Sequence, residues 1–325
     1  MDFHLEHTPQ PLPVKIDHKD KLFLIGSCFT EQIGNKLKHH KFAVLDNPNG
    51  ILFNPISIDR SVTSYIENKQ YTEDELFYQN ESWNSWEHHS RFSHPDKQAC
   101  LDGINASQHL AHDFLKTADW LLITLGSAFV YEREGGAVVA NCHKVPTDKF
   151  NKRMLTVDEV VRPMAQMQEW LMTFNTGLKI IYTISPVRHL RDGFVENNRS
   201  KATLHLAVQE LTLRKNTFYF PAYELVMDDL RDYRFYAEDM VHPNYAATNY
   251  VWKKFVGACV DEPAQALMQE INQVNAAKNH KPFNPGSEQH KKFLQANLDK
   301  VKKLNKEYPY IDFGEELRYF SNTPV

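Results

Sequence analysis

Cysteine is scarce in this chain and never occurs in a useful spacing. Cys28, Cys100, Cys142 and Cys259 are the only four in 325 residues, and no Cys-x-x-Cys pair is present. That excludes a disulfide scaffold and fits a reduced, cytoplasmic protein. A surplus of positive charge is also missing. Lys and Arg number 37 against 41 Asp and Glu, a formal net charge of −4. Nucleic-acid carriers normally present a strongly basic surface, so no nucleic-acid partner is expected. No apolar run approaches the roughly 18–20 residues of a membrane span. The N-terminus lacks the basic start of a signal peptide, and the first apolar run, Leu22–Ile25, is too short for its hydrophobic region. Neither a Gly-x-Gly-x-x-Gly nor a Walker-type loop occurs, so no nucleotide cofactor is expected.

What the chain does have is histidine, 16 in all, the side chain that titrates near neutrality and serves as base, ligand or sensor. It also has alternating strand and helix patterns. Short apolar runs at 21–25, 42–45, 120–125, 179–184 and 217–220 read as buried strands. Between them, apolar residues at helical spacing predict helices over about 29–41, 58–68, 101–118, 157–176, 198–214 and 244–259. Such alternation predicts an α/β domain with a mostly parallel sheet over residues 1–260. Gly135-Gly136 suggests a hairpin turn, and residues near 70–100, rich in Trp, His and Ser, read as a loop or hairpin insertion. A helical C-terminal extension is expected over 261–325, with helices near 261–278 and 288–306 separated by the linker-like stretch Lys281–Gly286.

In open α/β sheets, sites form outside the carboxyl ends of the strands. Three apolar runs end at a serine: Ser27, Ser127 and Ser185. Ser27 lies between the first strand and a helix start, where backbone N–H groups favour developing negative charge. The same position also suits a plain helix cap. Asp239 and His242 are three residues apart, just before the helix that Asn244 would cap. That spacing brings both side chains to one face, where an aspartate can orient an imidazole.

Taken together, a serine after the first strand and Asp-x-x-His before the last helix resemble the SGNH (GDSL-like) hydrolases. The flanking sequence is closer still to the GSCFA family, whose opening motif stands here as Gly26-Ser27-Cys28-Phe29-Thr30. Similar stretches are Asn47–Gly50 through Phe53–Pro55, Trp86–Ser90 with Phe92, Leu125-Gly126, Ala140–Lys144, Ser185–Arg188 and Asn198–Lys201. The resemblance covers roughly residues 20–260 and implies a three-layer α/β/α, flavodoxin-like fold. It implies Ser27 as nucleophile, His242 as general base and acid, and Asp239 as its partner. The backbone at Ser27 and the block II candidate Gly50, with Asn54 or Ser127 as substitutes, would form the oxyanion hole. The block III Gly-x-Asn reads Gly126-Ser127-Ala128 here, so the asparagine position holds alanine.

The expected reaction is hydrolysis of a small-molecule or carbohydrate ester through an acyl-serine intermediate. Acyl transfer by the same triad, and a ligand-binding module without turnover, are the alternatives. His88, His89, Arg91, Asn141, His143 and Arg188 are candidate substrate contacts. The loop holding His88, His89 and His94 equally suits a packed aromatic insertion or, with unspecific spacing, zinc; no metal is expected. The cluster Arg188, His189, Arg191, Arg199 and Lys201 suits either an anion site or a solvated charged loop. Cys28 and Cys142 read as buried thiols or, alternatively, as reactive ones.

Overall fold

A computed structural model describes residues 4–321; the first three residues, where the signal-peptide reading begins, and the last four of the expected extension lie outside them. In chain order the elements begin with β1 (Lys21–Gly26), α1 (Cys28–His39), β2 (Ala43–Asp46) and α2 (Pro55–Glu67). Then come β3 (Leu76–Gln79), β4 (Ser82–Ser85), α3 (Lys97–Lys116), β5 (Trp120–Leu125), β6 (Phe129–Glu132), β7 (Val138–Val139) and β8 (Asn151–Met154). The chain continues with α4 (Val157–Phe174), β9 (Lys179–Ile184), α5 (Gly193–Leu211), β10 (Thr217–Tyr219) and α6 (Ala222–Glu224), which runs into a π-helical turn over Leu225–Leu230. It closes with α7 (Tyr245–Cys259), α8 (Glu262–Asn279), α9 (Glu288–Glu307) and α10 (Gly314–Ser321).

The five expected strands form one parallel sheet in the order β10-β9-β5-β1-β2. Its strands are apolar at nearly every position because both faces are covered. Alternate residues enter opposite cores, as the strand period of two requires. Leu22, Leu24 and Leu122 pack with α1 and α7, whereas Phe23, Ile25, Leu121 and Ile123 pack with α2, α4 and α5. The fold is therefore the expected three-layer α/β/α arrangement with the flavodoxin-like strand order. The chain leaves β1 for β2 on one side and returns to β5 on the other, which places the switch point beside Gly26.

Several expected boundaries shift. The second helix starts at Pro55, earlier than its apolar pattern, because Asn54 caps it and Pro55 suits its first turn. The helix predicted from 198 starts at Gly193; its first turn exposes Phe194 and Val195, so no buried periodicity marks it. The fourth helix ends at Phe174, where the Asn175 side chain takes over by donating to Leu115 O and Ala118 O.

The insertion contains the antiparallel hairpin β3–β4, whose Trp83 packs with Phe92 on a small core of Tyr71, Leu76, Cys100, Leu101 and Ile104. The Gly135-Gly136 hairpin is present and joins β8 in a three-stranded sheet, a partner the sequence pattern did not announce. α8, α9 and α10 share a separate core of Leu267, Ile271, Leu298, Val301 and Phe320. They attach at the far end of α1, where Lys41 and Lys278 converge on buried Glu316. Among the described residues, no helix is long and apolar enough to cross a membrane.

Candidate active site at the carboxyl edge of the sheet

The opening motif owes its shape to Gly26. Its φ of +139° lies outside the range L side chains adopt, and a Cβ there would sit 2.1 Å from Thr124 O. The glycine lets β1 turn sharply into α1 against β5. Gly26 N donates to Asn47 Oδ1 at 2.8 Å, and Gly26 O accepts from Leu52 N at 2.9 Å. Asn47, buried and in a left-handed conformation, thus ties the turn after β2 to the turn after β1.

Ser27 follows as the N-cap of α1, its Oγ accepting from Phe29 N at 3.3 Å. The residue is fully buried. Its own N–H donates to Thr124 O at 3.1 Å.

Asp239 and His242 form the pair their spacing suggested. His242 Nδ1 lies 2.6 Å from Asp239 Oδ2, while Asp239 Oδ1 accepts from the N–H groups of Val241 and His242. These main-chain donors, then the imidazole, hold the Asp239 carboxyl down to about 2. With Nδ1 facing a carboxylate, the tautomer that leaves Nε2 as acceptor is favoured. The turn is held by Ala237 N on His242 O and by Asn244, which caps α7 through Ala247 N. Arg188 N donates to Val241 O, which sets this turn beside the segment following β9. Ser27 and the pair therefore belong to the same edge of the sheet. They make no hydrogen bond with each other.

The expected oxyanion donors fare unequally. Gly50 is a correction: its N–H closes the Asn47–Gly50 turn on Asn47 O at 2.7 Å, so it is not free to bind an oxyanion. Ser127 is another. Its Oγ accepts from Phe129 N and meets Ser200 Oγ at 3.3 Å. Asn54 differs from both: its Oδ1 caps α2 through Ser57 N at 2.8 Å, and its Nδ2 has no hydrogen-bond partner among the described residues.

The candidate substrate contacts divide in the same way. His88 is a correction, being wholly buried between Tyr71 and Phe92 with Nδ1 bound to Ser85 Oγ. Burial, then the charge of Lys69, pushes it down to about 3, so it stays neutral. His143 is likewise buried, with Nε2 on Ser85 O at 2.8 Å, and Asn141 accepts from His143 N. Both serve the packing of the insertion.

His89 and Arg91 lean on the turn after β2. His89 N donates to Asn49 O, a Cβ on Gly50 would strike His89 Cβ, and the Arg91 guanidinium grips Asn47 O and Pro48 O. Arg188 is stacked over Tyr236, 4.3 Å from the ring centroid. His189 lies edge-on to Phe53, with Nε2 buried and unpartnered. Burial first, then the charge of Lys201, pushes its imidazole down to about 3. Burial also raises the thiols of Cys28 and Cys142, which works against the thiolate that a cysteine mechanism needs. Among the described residues, no three His, Cys, Asp or Glu side chains converge on a point that could hold a metal.

Two features escaped the sequence reading. One is the role of Asn47, which stands in a family-like stretch without a function read from the sequence. The other is the depth of Lys201, which sits within α5, 2 % exposed, and not on a solvated loop. A lysine in a charged stretch carries no sign of burial.

Among solved structures, a carbohydrate esterase family 3 protein from Talaromyces cellulolyticus is 11% identical, with a TM-score of 0.36, covering 78% of this chain and 99% of its own. An acetyl esterase serine-to-alanine mutant with acetate ion is 12% identical, with a TM-score of 0.35 and the same coverage. An acetyl xylan esterase from the rumen bacterium Butyrivibrio proteoclasticus is 11% identical, with a TM-score of 0.34, covering 81% of this chain and 66% of that one. At these scores the likeness assigns no reaction. No curated protein matches. The GSCFA family model matches residues 21–255, and that of the GSCFA domain protein C-terminal domain matches residues 271–323. With most of its length matched in this way, the chain belongs to the GSCFA family.

Proposed function

We propose that this protein is a serine-dependent acyl hydrolase that cleaves an ester through an acyl-Ser27 intermediate. The observation that carries the reading is the Asp239–His242 pair, 2.6 Å apart and presented at the sheet edge that holds Ser27. In the reacting complex His242 Nε2 approaches Ser27 Oγ and takes its proton as Oγ adds to the ester carbonyl carbon. Asp239 stabilises the imidazolium. The proton then passes to the leaving alcohol oxygen as the ester C–O bond breaks. Water repeats the sequence and releases the acid. Asn54 Nδ2 is a side-chain donor free to meet the developing oxyanion. An O-acylated carbohydrate is the substrate form to test first. Acyl transfer would need a sugar hydroxyl in place of the water.

A fluorophosphonate probe tests the reading without knowledge of the substrate. It is expected to label the wild type at Ser27 and to leave Ser27→Ala unlabelled; equal labelling of both refutes the assignment. A second reading, a ligand-binding module without turnover, is favoured by one observation: Ser27 is fully buried and already engaged as a helix cap. Binding of an acetylated oligosaccharide that survives Ser27→Ala, with no acyl-enzyme ever trapped, selects that reading.

A further inference from the structure

Lys201 Nζ donates to Gly126 O and to Ser185 O, each at 2.7 Å. Those carbonyls belong to the residues immediately after β5 and β9, so a fully buried ammonium sits at the carboxyl edge of two adjacent strands. Among the described residues, no carboxylate forms an ion pair with it. The titratable groups around it are the Cys28 thiol at the start of α1, His189 after β9, and His205 one turn along α5. Tyr223 of α6 places its ring 5.8 Å from Nζ. None of these is an anion at neutral pH. Glu224 is engaged by His205 and by the Tyr219 hydroxyl. Burying an unpaired charge is costly, and an apolar side chain of the same length would spare that cost.

The neighbouring residue acts on the same turn. Ser200 Oγ accepts from Ala128 N at 2.8 Å and meets Ser127 Oγ. Two consecutive residues of α5 therefore grip both ends of Gly126–Ala128. This is the turn whose third position carries a carboxamide in the SGNH pattern and an alanine here. The N–H groups of Ser27 and Gly50 are spent on main-chain carbonyls, which leaves the side-chain amides of Asn54 and Asn47 as the unpartnered donors beside it.

We propose that Lys201 is a positioning residue for acyl transfer at Ser27: its ammonium, clamped to the Gly126–Ala128 turn, supplies the fixed positive field for the charge that develops on the acyl oxygen. This inference rests on the reading of Ser27 as nucleophile. As Oγ bonds to the carbonyl carbon, the carbonyl electron pair moves to oxygen, and an uncompensated cation nearby lowers the energy of that state more than that of the neutral ester. Burial pushes the Lys201 ammonium down to about 7. The field is present below that value and lost above it. A neutral amine keeps two N–H groups, enough for both carbonyls, so the turn stays clamped while the field is switched off.

The test is the rate of Ser27 labelling by a fluorophosphonate, measured on the full chain from about pH 6 to about pH 9. Lys201→Met is expected to slow labelling about 10²-fold at the acid end, with the deficit closing at the alkaline end, where the wild type has lost its own charge. A merely structural lysine gives a deficit that does not change with pH. Lys201→Arg, which cannot be deprotonated, covers the case in which the methionine variant fails to fold. Relative to wild type, it should gain rate as pH rises. Wild-type labelling with a pH-independent ratio, or no deficit, overturns the role of Lys201 alone. No labelling of the wild type at Ser27 overturns the hydrolase reading and this inference together.

Discussion

Asp239 shows how one side chain can be fully committed while still half-exposed. Its Oδ1 is held by two main-chain donors and its Oδ2 by an imidazole, so its geometry does not depend on burial. Because its folded value is depressed from 3.8 to about 2, its contribution to folding is present above 3.8 and is lost as pH falls through about 2. It is ionised across the neutral range, and no limb of a rate profile there belongs to it. Asp239→Asn keeps the Oδ1 acceptor for both main-chain donors and loses only an exposed ion pair, so thermal stability should fall only slightly. The substitution should slow Ser27 labelling by about 10²–10⁴, because the wrong imidazole tautomer is then favoured. Asn54 allows a comparable separation. Asn54→Asp keeps the oxygen that caps α2 and removes the N–H donor. The melting temperature should hold while labelling falls by about 10²–10³; an unchanged rate would remove Asn54 from the oxyanion site.

At the scale of elements, the central sheet was legible because each strand is an apolar run closed by a turn residue, a local signal. The turn that makes the site was legible only as a motif. What fixes its shape is the contact of Gly26 with Thr124 O and Asn47 Oδ1, a long-range fact that no spacing contains. Gly26→Ala should accordingly cost several kcal/mol, since a Cβ meets main chain and the φ is unfavourable. Loss of soluble protein or a large drop in urea midpoint would show it. The Asp239–His242 pair was legible because its partners are three residues apart. The failures have the opposite cause. Gly50 and Ser127 fit by position, yet the Gly50 N–H is held by Asn47 O, the Ser127 N–H by Phe53 O, and the Ser127 hydroxyl meets Ser200 Oγ. His88 and His143 read as loop residues, yet the insertion folds its own small core around them. Lys201 was read as part of a charged stretch because sequence cannot report which lysine of a helix turns inward.

For the molecule as a whole, α1 spans the distance between the candidate site and the C-terminal helices. Its first residue follows Ser27, and its last turn leads to Lys41, which contacts the C-terminal helices. Twelve residues of helix put roughly 18 Å between the two ends. Glu316, buried and shared by Lys41 and Lys278, anchors that attachment. Glu316→Gln should destabilise the protein by about 3 kcal/mol in urea unfolding, since it leaves the partly buried Lys41 without its carboxylate, while Lys278 keeps Glu315. The rate of Ser27 labelling in the folded variant should not change. A slower rate would mean that the C-terminal helices communicate with the site.

The central claim is that Ser27 becomes a nucleophile through His242. The most direct measurement is fluorophosphonate labelling followed by peptide mapping, on the wild type, Ser27→Ala and His242→Ala. A single adduct on Ser27, absent in Ser27→Ala and strongly slowed in His242→Ala, is the predicted result. An adduct that persists in Ser27→Ala, or a rate indifferent to His242, would contradict it.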